Sequence, residues 1–317
     1  MPHIDSYYAA TQTHSSAYPT LSNDIDVDIC IVGGGLAGLT AAHELARRGK
    51  SVVLLEGEKV GWGASGRNGG FVSDGYAEGI AKLEAKLGFE HAKALFDLSR
   101  EGTQFVRANI DKFGAPELLV GNGWLDVVRR DNGEALKNHA IDMADRFGAN
   151  VHYLYRDQVQ QRLKSDRYFQ GVEDRSAFHI HPLNYVQRLA QETSKLGVQI
   201  FEQTKAVELS RHQAGATVTT DGGHMVKAKS IVLCGSAYMR NLFPKVDSAV
   251  LPVATYVVTS KKMKRQLEGA ISYDGAISDD RRAGDYYRLV DDGSRLLWGG
   301  RITTQRNEPK HLAHMLA

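Results

Sequence analysis

Apolar positions along the chain change period several times, and those changes outline its elements. Residues 29–32 and 52–55 are short continuous apolar runs of the kind that form strands buried on both faces. Between them, residues 36–48 repeat apolar side chains at helical spacing, so residues 26–56 read as strand, turn, helix, strand. Residues 77–113 keep helical periodicity through Ile80, Leu83, Leu87, Ala92, Leu95, Leu98, Phe105 and Ile110. Residues 118–128 read as two short strands around Gly121-Asn122-Gly123, a hairpin signal. Helices are predicted at 134–147, 158–163 and 183–196, the last closed by Gly197. A strand at 198–201 precedes a β pair, 206–211 with 214–220, and Asp221-Gly222-Gly223 turns into 225–228. Residues 230–233 form another buried strand, ending at Cys234-Gly235-Ser236. Strands within 251–260, 286–290 and 296–298 complete the pattern, with a turn at Asp291-Asp292-Gly293.

Two βαβ-like halves therefore flank an insertion. This layout predicts a polar arm at 1–23, read as a mobile leader that Tyr7, Tyr8 and Tyr18 can anchor to the surface. A discontinuous α/β domain is expected from 24–113 and 176–248, and a second, mixed-sheet domain from 114–175 and 249–317, α+β overall.

The turn at Gly33-Gly34-Gly35 carries candidate chemistry. Gly33 suits a tight turn, Gly35 lets a diphosphate approach the backbone, and Gly38 lets the helix lie close on the sheet. The helix N-terminus offers N–H groups and a positive dipole end. Glu56 ends the second strand, where a carboxylate accepts from ribose hydroxyls and repels a 2′-phosphate. A dinucleotide is the expected ligand. Residues 61–70 then hold five glycines with Trp62, Ser65, Arg67 and Asn68. Glycine loses the most entropy on ordering, so such a loop suits backbone passing close to a flat or charged ligand. Ser65, Arg67 and Asn68 supply donors for phosphate or ring oxygens.

Composition narrows the picture. The 317 residues suit about two domains, and a formal charge of +2 is too small to imply nucleic acid or an anionic membrane. Cys30 and Cys234 lie in apolar runs and read as small buried hydrophobes in a reducing compartment. Residues 1–23 lack a basic start and an apolar stretch, and no run is long enough to span a bilayer, so a cytoplasmic protein is expected. His179 and His181 alternate along an extended segment; with no third ligand in view, no metal is expected, and His181 reads as a cap for the helix after Pro182. Asp279-Asp280-Arg281-Arg282 reads as a solvated charged turn.

The segments SYYAA, VGGGLAGL, GWGASGRNGGF, HIHPLNY, DYYRL and LLWGG, spread over nearly the whole chain, resemble the D-amino-acid-oxidase-like flavoprotein family. The resemblance implies a Rossmann-like FAD-binding domain with a mixed-sheet substrate domain over the flavin. It implies that Gly33, Gly35, Leu36, Ala37 and Gly38 line the diphosphate, with Glu56 on the adenosine ribose. Ala64, Ser65, Arg67, Asn68, Gly69 and Gly70 would run toward the ring system, Val207 would touch adenine through its backbone, and Gly235 would flank the cofactor. GASGRNGG offers neither Cys nor His as a covalent anchor, so FAD is expected to be non-covalent. The family pattern continues well beyond LLWGG, whereas this chain ends at KHLAHMLA; the resemblance thus implies a further C-terminal part, and puts activity without it in doubt.

The implied activity is oxidation of a CH–NH2 group in a primary amine, such as γ-glutamylputrescine, to an aldehyde, with ammonia and hydrogen peroxide released. No obligatory side-chain base is expected. Substrate-side candidates are Tyr256, Tyr286, Tyr287 and Arg288, with alternation placing Tyr286 and Arg288 on one strand face and Tyr287 on the other. Arg288 can bind a carboxylate in bidentate fashion; a surface ion pair with Asp285 or Asp291 is the plainer alternative and the preferred one. Two rival functions stand beside the oxidase: an amino-acid dehydrogenase or oxidase using an acceptor other than oxygen, and a catalytically silent FAD-binding subunit.

Overall fold

The computed structural model describes residues 2–281 and 284–304; Arg282 of the charged turn and the KHLAHMLA stretch lie outside the described residues. The chain opens with α1 (Tyr7–Ala10), β1 (Ile25–Val32), α2 (Leu36–Arg47), β2 (Val52–Leu55) and β3 (Phe71–Val72). Next come α3 (Ile80–Leu87), α4 (Phe89–Lys112), β4 (Leu119–Val127), α5 (Gly133–Phe147), β5 (Val151–Leu154), α6 (Arg156–Arg162) and β6 (Gly171–Ile180). α7 (Pro182–Lys195), β7 (Gln199–Phe201), β8 (Ala206–His212), β9 (Gly215–Thr220), β10 (Met225–Leu233) and α8 (Pro244–Asp247) follow. β11 (Ala254–Thr259), α9 (Lys264–Ala270), β12 (Ala276–Asp279), β13 (Tyr286–Val290) and β14 (Arg295–Thr303) finish the order.

Met1–Asn68 with Pro182–Val253 form one compact unit and Gly69–His181 with Ala254–Ala317 the other, each within its described residues. The chain thus divides inside the second glycine-rich segment, and residues 69–113 and 176–181 pack with the second unit instead of with residues 24–68. The physical reason is pairing. β3 joins the edge of β6, and α3 packs on α4, which packs on α5.

The first unit holds a sheet in the order β7-β2-β1-β10-β9-β8. β7, β2, β1 and β10 run parallel, whereas β9 and β8 are antiparallel additions. Cys30, Ile31 and Val32 of β1 and all of β2 are buried, as central parallel strands require. One core joins Leu21, Cys30, Val32, Val53, Leu55, Val218, Val226, Ala228 and Leu242. α2 and α7 pack on each other. Cys30 and Cys234 are free thiols; Cys30 is buried, and burial pushes its thiol up to about 12, but Cys234 is only half-buried.

The arm is not a loose leader. Ser6 caps α1, and Tyr8 is buried. The backbone N–H groups of Thr13 and His14 donate to Asn184 Oδ1, and that of Ser16 donates to Gln187 Oε1. Glu202, 1 % exposed, accepts from Tyr18 N–H (3.3 Å), Val60 N–H (2.8 Å) and Lys59 Nζ (2.7 Å). These polar anchors lie over 140 residues away in sequence, beyond what local composition can signal.

The second unit holds a mixed sheet in the order β11-β14-β13-β12-β4-β6-β3, with β5 also on β6. β12 and β4 are parallel; the other pairs are antiparallel. The expected hairpin at 118–128 is one continuous strand, β4, whose register against β6 shifts around Leu119–Gly121 and Asn122–Trp124. Its glycines serve bulges where neighbours come close, not a chain reversal. Replacing Glu202 with Gln leaves the Lys59 ammonium without its charge partner. We expect a loss of about 2 kcal/mol in urea unfolding and faster proteolysis within residues 2–20; an unchanged cleavage pattern would show that the arm is held elsewhere.

Candidate functional site

In the first unit the two glycine-rich bends meet. β1 ends at Gly33, whose φ of +114° is left-handed and whose added Cβ would lie 2.7 Å from the Cys234 carbonyl carbon and oxygen. Gly38 faces inward on α2, where a Cβ would overlap the Gly33 carbonyl oxygen. α2 therefore starts close against the strand ends, with Gly35 as its N-cap and no side-chain cap bond there. Leu36 N–H donates to Ser65 Oγ (3.0 Å), and Gly61 N–H donates to the Gly34 carbonyl (3.0 Å). These two bonds tie the second bend to the first.

Glu56, at the end of β2, accepts from Gly34 N–H (2.6 Å) and Glu58 N–H (2.9 Å). Burial raises its carboxyl above the usual range, and these two backbone bonds partly offset that. The segment after Gly63 makes a short 3-10 turn, Ala64–Gly66. Asn68 Nδ2 donates to the carbonyls of Ala64 and Ser65 (3.1 Å each). Arg67 stacks over Trp62 (4.6 Å) and donates to the Tyr238 hydroxyl (3.2 Å), so its guanidinium is already engaged. Val207, 46 % exposed, falls at the register shift between Ala206 and Glu208 on β8, where its backbone leaves the ladder. Gly235 follows β10 beside Gly33, and Cys234 N–H donates to the Val32 carbonyl (2.7 Å).

Gly69 and Gly70 belong to the second unit, where Gly70 accepts from Ile180 N–H (2.8 Å). Of the substrate-side candidates there, Tyr256 is half-buried on β11. Tyr286 is half-buried, edge-on to Phe71 (5.6 Å), with its hydroxyl near Thr255 Oγ1 (3.3 Å). Tyr287 points to the opposite face and belongs to the core. It stacks on Trp298 (5.2 Å, 13°), its hydroxyl donates to that of Tyr168 (3.3 Å), and burial raises its phenol strongly. It is a packing residue; alternation assigned its face but not what covers it.

The preferred surface ion pair for Arg288 is also overturned. Arg288 is 1 % exposed; Nη1 donates to His179 Nδ1 (2.6 Å) and Nη2 to the Ile180 carbonyl (2.9 Å). A guanidinium only donates, so His179 keeps its proton on Nε2, which donates to the Asp274 carbonyl (2.8 Å). His179 was missed as the partner of Arg288; the two are 109 residues apart, and the alternation at 179–181 signalled only an extended strand. His181 is buried just before Pro182 opens α7, and its N–H donates to the Leu118 carbonyl (3.2 Å). The charged turn is organised, not merely solvated: Arg281 bridges Asp279, which is buried, and Asp285.

The family model for FAD dependent oxidoreductases, DAO, matches residues 28–317. The chain belongs to this FAD-dependent oxidoreductase family. It is 31 % identical over 317 residues to γ-glutamylputrescine oxidoreductase of Escherichia coli K12, covering 99 % of this chain and 74 % of that protein. It is 30 % identical to the probable oxidoreductase OrdL of Haemophilus influenzae, over 96 % of this chain and 72 % of that one. The fold is similar to that of L-amino acid deaminase from Proteus myxofaciens at TM-score 0.69 and 19 % identity, covering 91 % of this chain and 61 % of the deaminase. No described helix is long and apolar enough to cross a membrane.

As a member of this family the protein uses FAD, and the first unit fits that cofactor. An uncapped helix N-terminus, a neighbouring hydroxyl and a strand-end carboxylate face one glycine turn, the donor and acceptor set that a diphosphate and a ribose require. The second unit carries a different test. Burial first, and then Arg288, holds His179 down to about 4, below its ordinary 6.5. Its neutral form is favoured on folding, so this contribution is complete above pH 6.5 and is lost as pH falls toward 4. The difference corresponds to at most about 3 kcal/mol. Urea midpoints at pH 7, 5 and 4 should fall for the wild type and fall less for His179→Asn, which cannot titrate.

Proposed function

We propose that the protein oxidises a primary amine, with γ-glutamylputrescine as the leading candidate, to an aldehyde, ammonia and hydrogen peroxide. The observation that carries this reading is identity spread over 99 % of the chain to a relative named for that substrate. For an amine RCH2NH2 the balance is RCH2NH2 + O2 + H2O → RCHO + NH3 + H2O2. Bound FAD supplies the acceptor for the hydride leaving the carbon that bears nitrogen.

In this reading Gly33, Gly35, Leu36, Ala37 and Gly38 hold the diphosphate against the start of α2. Glu56 exchanges its bond from Gly34 for bonds from the ribose hydroxyls. Val207 would meet adenine with backbone that its bulge leaves exposed, and Gly235 would flank the cofactor. Ala64, Ser65, Arg67, Asn68, Gly69 and Gly70 would carry the backbone along it, Ser65 tying this run to α2 and Arg67 bracing it through Trp62 and Tyr238. Tyr256 and Tyr286 are the remaining substrate-side tyrosines, and Arg288 acts as a buried brace.

Hydride leaves only a neutral amine. An alkylamine with a pKa near 10.4 needs roughly 4–5 kcal/mol to lose its proton at pH 7. A desolvating aromatic wall lowers that pKa and supplies part of this energy. No base need touch the reacting nitrogen.

Full-length protein should purify yellow, and γ-glutamylputrescine should bleach its flavin band anaerobically. Stoichiometric peroxide on admitting air separates an oxidase from a dehydrogenase with another acceptor; a flavin that no amine or amino acid bleaches sinks the enzymatic reading. Glu56→Gln should weaken FAD binding about tenfold, equivalent to about 1.4 kcal/mol, in fluorescence titrations.

A further inference from the structure

Within the first unit, the N-terminal arm and the second glycine-rich bend are held by the same two buried side chains. Gln187 of α7, 2 % exposed, accepts from Ser16 N–H through Oε1 (3.0 Å) and donates from Nε2 to the Val60 carbonyl (2.8 Å). Glu202 accepts from Tyr18 N–H with one oxygen and from Val60 N–H with the other. Each side chain thus holds the arm with one polar atom and Val60 with another. Turning the Gln187 carboxamide over would lose both of its bonds, so its two partners fix its orientation.

The Val60 carbonyl and the Gly61 N–H belong to one planar peptide group. Gln187 holds the carbonyl, and the N–H donates to the Gly34 carbonyl of the first bend (3.0 Å). The peptide that joins the two bends is therefore oriented by a side chain whose other end is on the arm. A third contact lies one residue further on. Trp62 Nε1 donates to the Pro2 carbonyl (3.1 Å), and the same indole carries Arg67 over its face and Tyr238 at its edge (5.6 Å). Arg67 in turn donates from Nε to the Gly63 carbonyl (3.3 Å). Residues 61–70 carry five glycines, whose backbone has the most freedom to lose on ordering. Freedom removed before the ligand arrives adds nothing to the cost of binding it.

We infer that the N-terminal arm is part of the cofactor site: through Gln187, Glu202 and Trp62 it presets the second bend, so that arm docking and FAD binding strengthen each other. Linkage makes the effect reciprocal, the arm tightening FAD by the same factor as FAD tightens the arm. This rests on the reading in which the two bends hold FAD, and it is independent of which amine is oxidised. Gln187, Glu202 and Trp62 act here as positioning residues.

The test uses the full-length, FAD-loaded protein and follows release of the cofactor on dilution as the return of free-flavin fluorescence. Deleting residues 2–5 and replacing Trp62→Phe break one bond from its two ends. Each should speed release about fivefold, and the two together no more than either alone. Gln187→Met, which removes both bonds of the carboxamide, should speed release further; if it does not fold, the other two variants carry the test. Amide exchange gives the reciprocal readout. FAD should slow exchange at Thr13, His14 and Ser16 more than it slows exchange in α5 of the second unit, and Trp62→Phe should shrink that difference. Additive losses from the deletion and Trp62→Phe, equal slowing in the arm and α5, or lower urea midpoints with FAD release unchanged would each overturn the inference and leave the arm a purely structural element. Were Glu56→Gln to leave FAD affinity unchanged as well, the reading in which the bends hold FAD would fall with it.

Discussion

The structure of the first unit depends on backbone approaching backbone at the start of α2. Gly38 brings the helix against the Gly33 carbonyl, and Gly33 brings the end of β1 against Cys234 and Gly235 at the end of β10. No side chain larger than hydrogen fits either gap. Because the helix begins there, its first N–H groups lie beside two strand ends, Glu56 and the second bend. The Ser65 hydroxyl and the Gly61 amide then fasten that bend in place. A cofactor with negative charge in its middle and hydroxyls to one side suits this geometry, since it can satisfy donors and acceptors that the close approach has brought together.

The second unit follows a different rule, in which side chains and not backbone set the distances. Its sheet buries one face as core, with Tyr287 stacked on Trp298 and bonded to Tyr168. The other face keeps Arg288 under control through His179 and the Ile180 carbonyl. A buried guanidinium needs acceptors, and a neutral imidazole whose own proton is taken by Asp274 is one that stays neutral near pH 7. The two faces of one strand, β13, thus carry the buried Tyr287 on one side and the half-buried Tyr286 on the other.

Local pattern suffices where an element is set by its near neighbours in sequence. The strand–turn–helix–strand of residues 26–56, α5, α7 and the β8–β9 pair were all legible from period and turn residues, since each is set by contacts within a few positions. A dinucleotide was legible too, because the glycine spacing carries backbone geometry directly, and the resemblance of the longer motifs implied that it is FAD. Misreadings share one cause. The arm looked unattached because its anchors, Asn184, Gln187 and Glu202, are distant in sequence; the glycines of β4 looked like a turn because the neighbours they make room for come from β6 and from around Asp274.

Sequence alone determined the strand–turn–helix–strand of residues 26–56, α5, α7 and the β8–β9 pair, with the glycine turn, the acid at the end of β2 and hence a dinucleotide as ligand, because these are encoded at short range by period, φ requirement and spacing. Only tertiary structure decided that Tyr287 is core, that Arg288 is a braced internal cation and that Asp126, Ser278 and Tyr286 stand in one row. Strand register and long-range packing made those choices: Asp126 meets Ser278 across 152 positions and Arg288 meets His179 across 109, separations that no local pattern encodes.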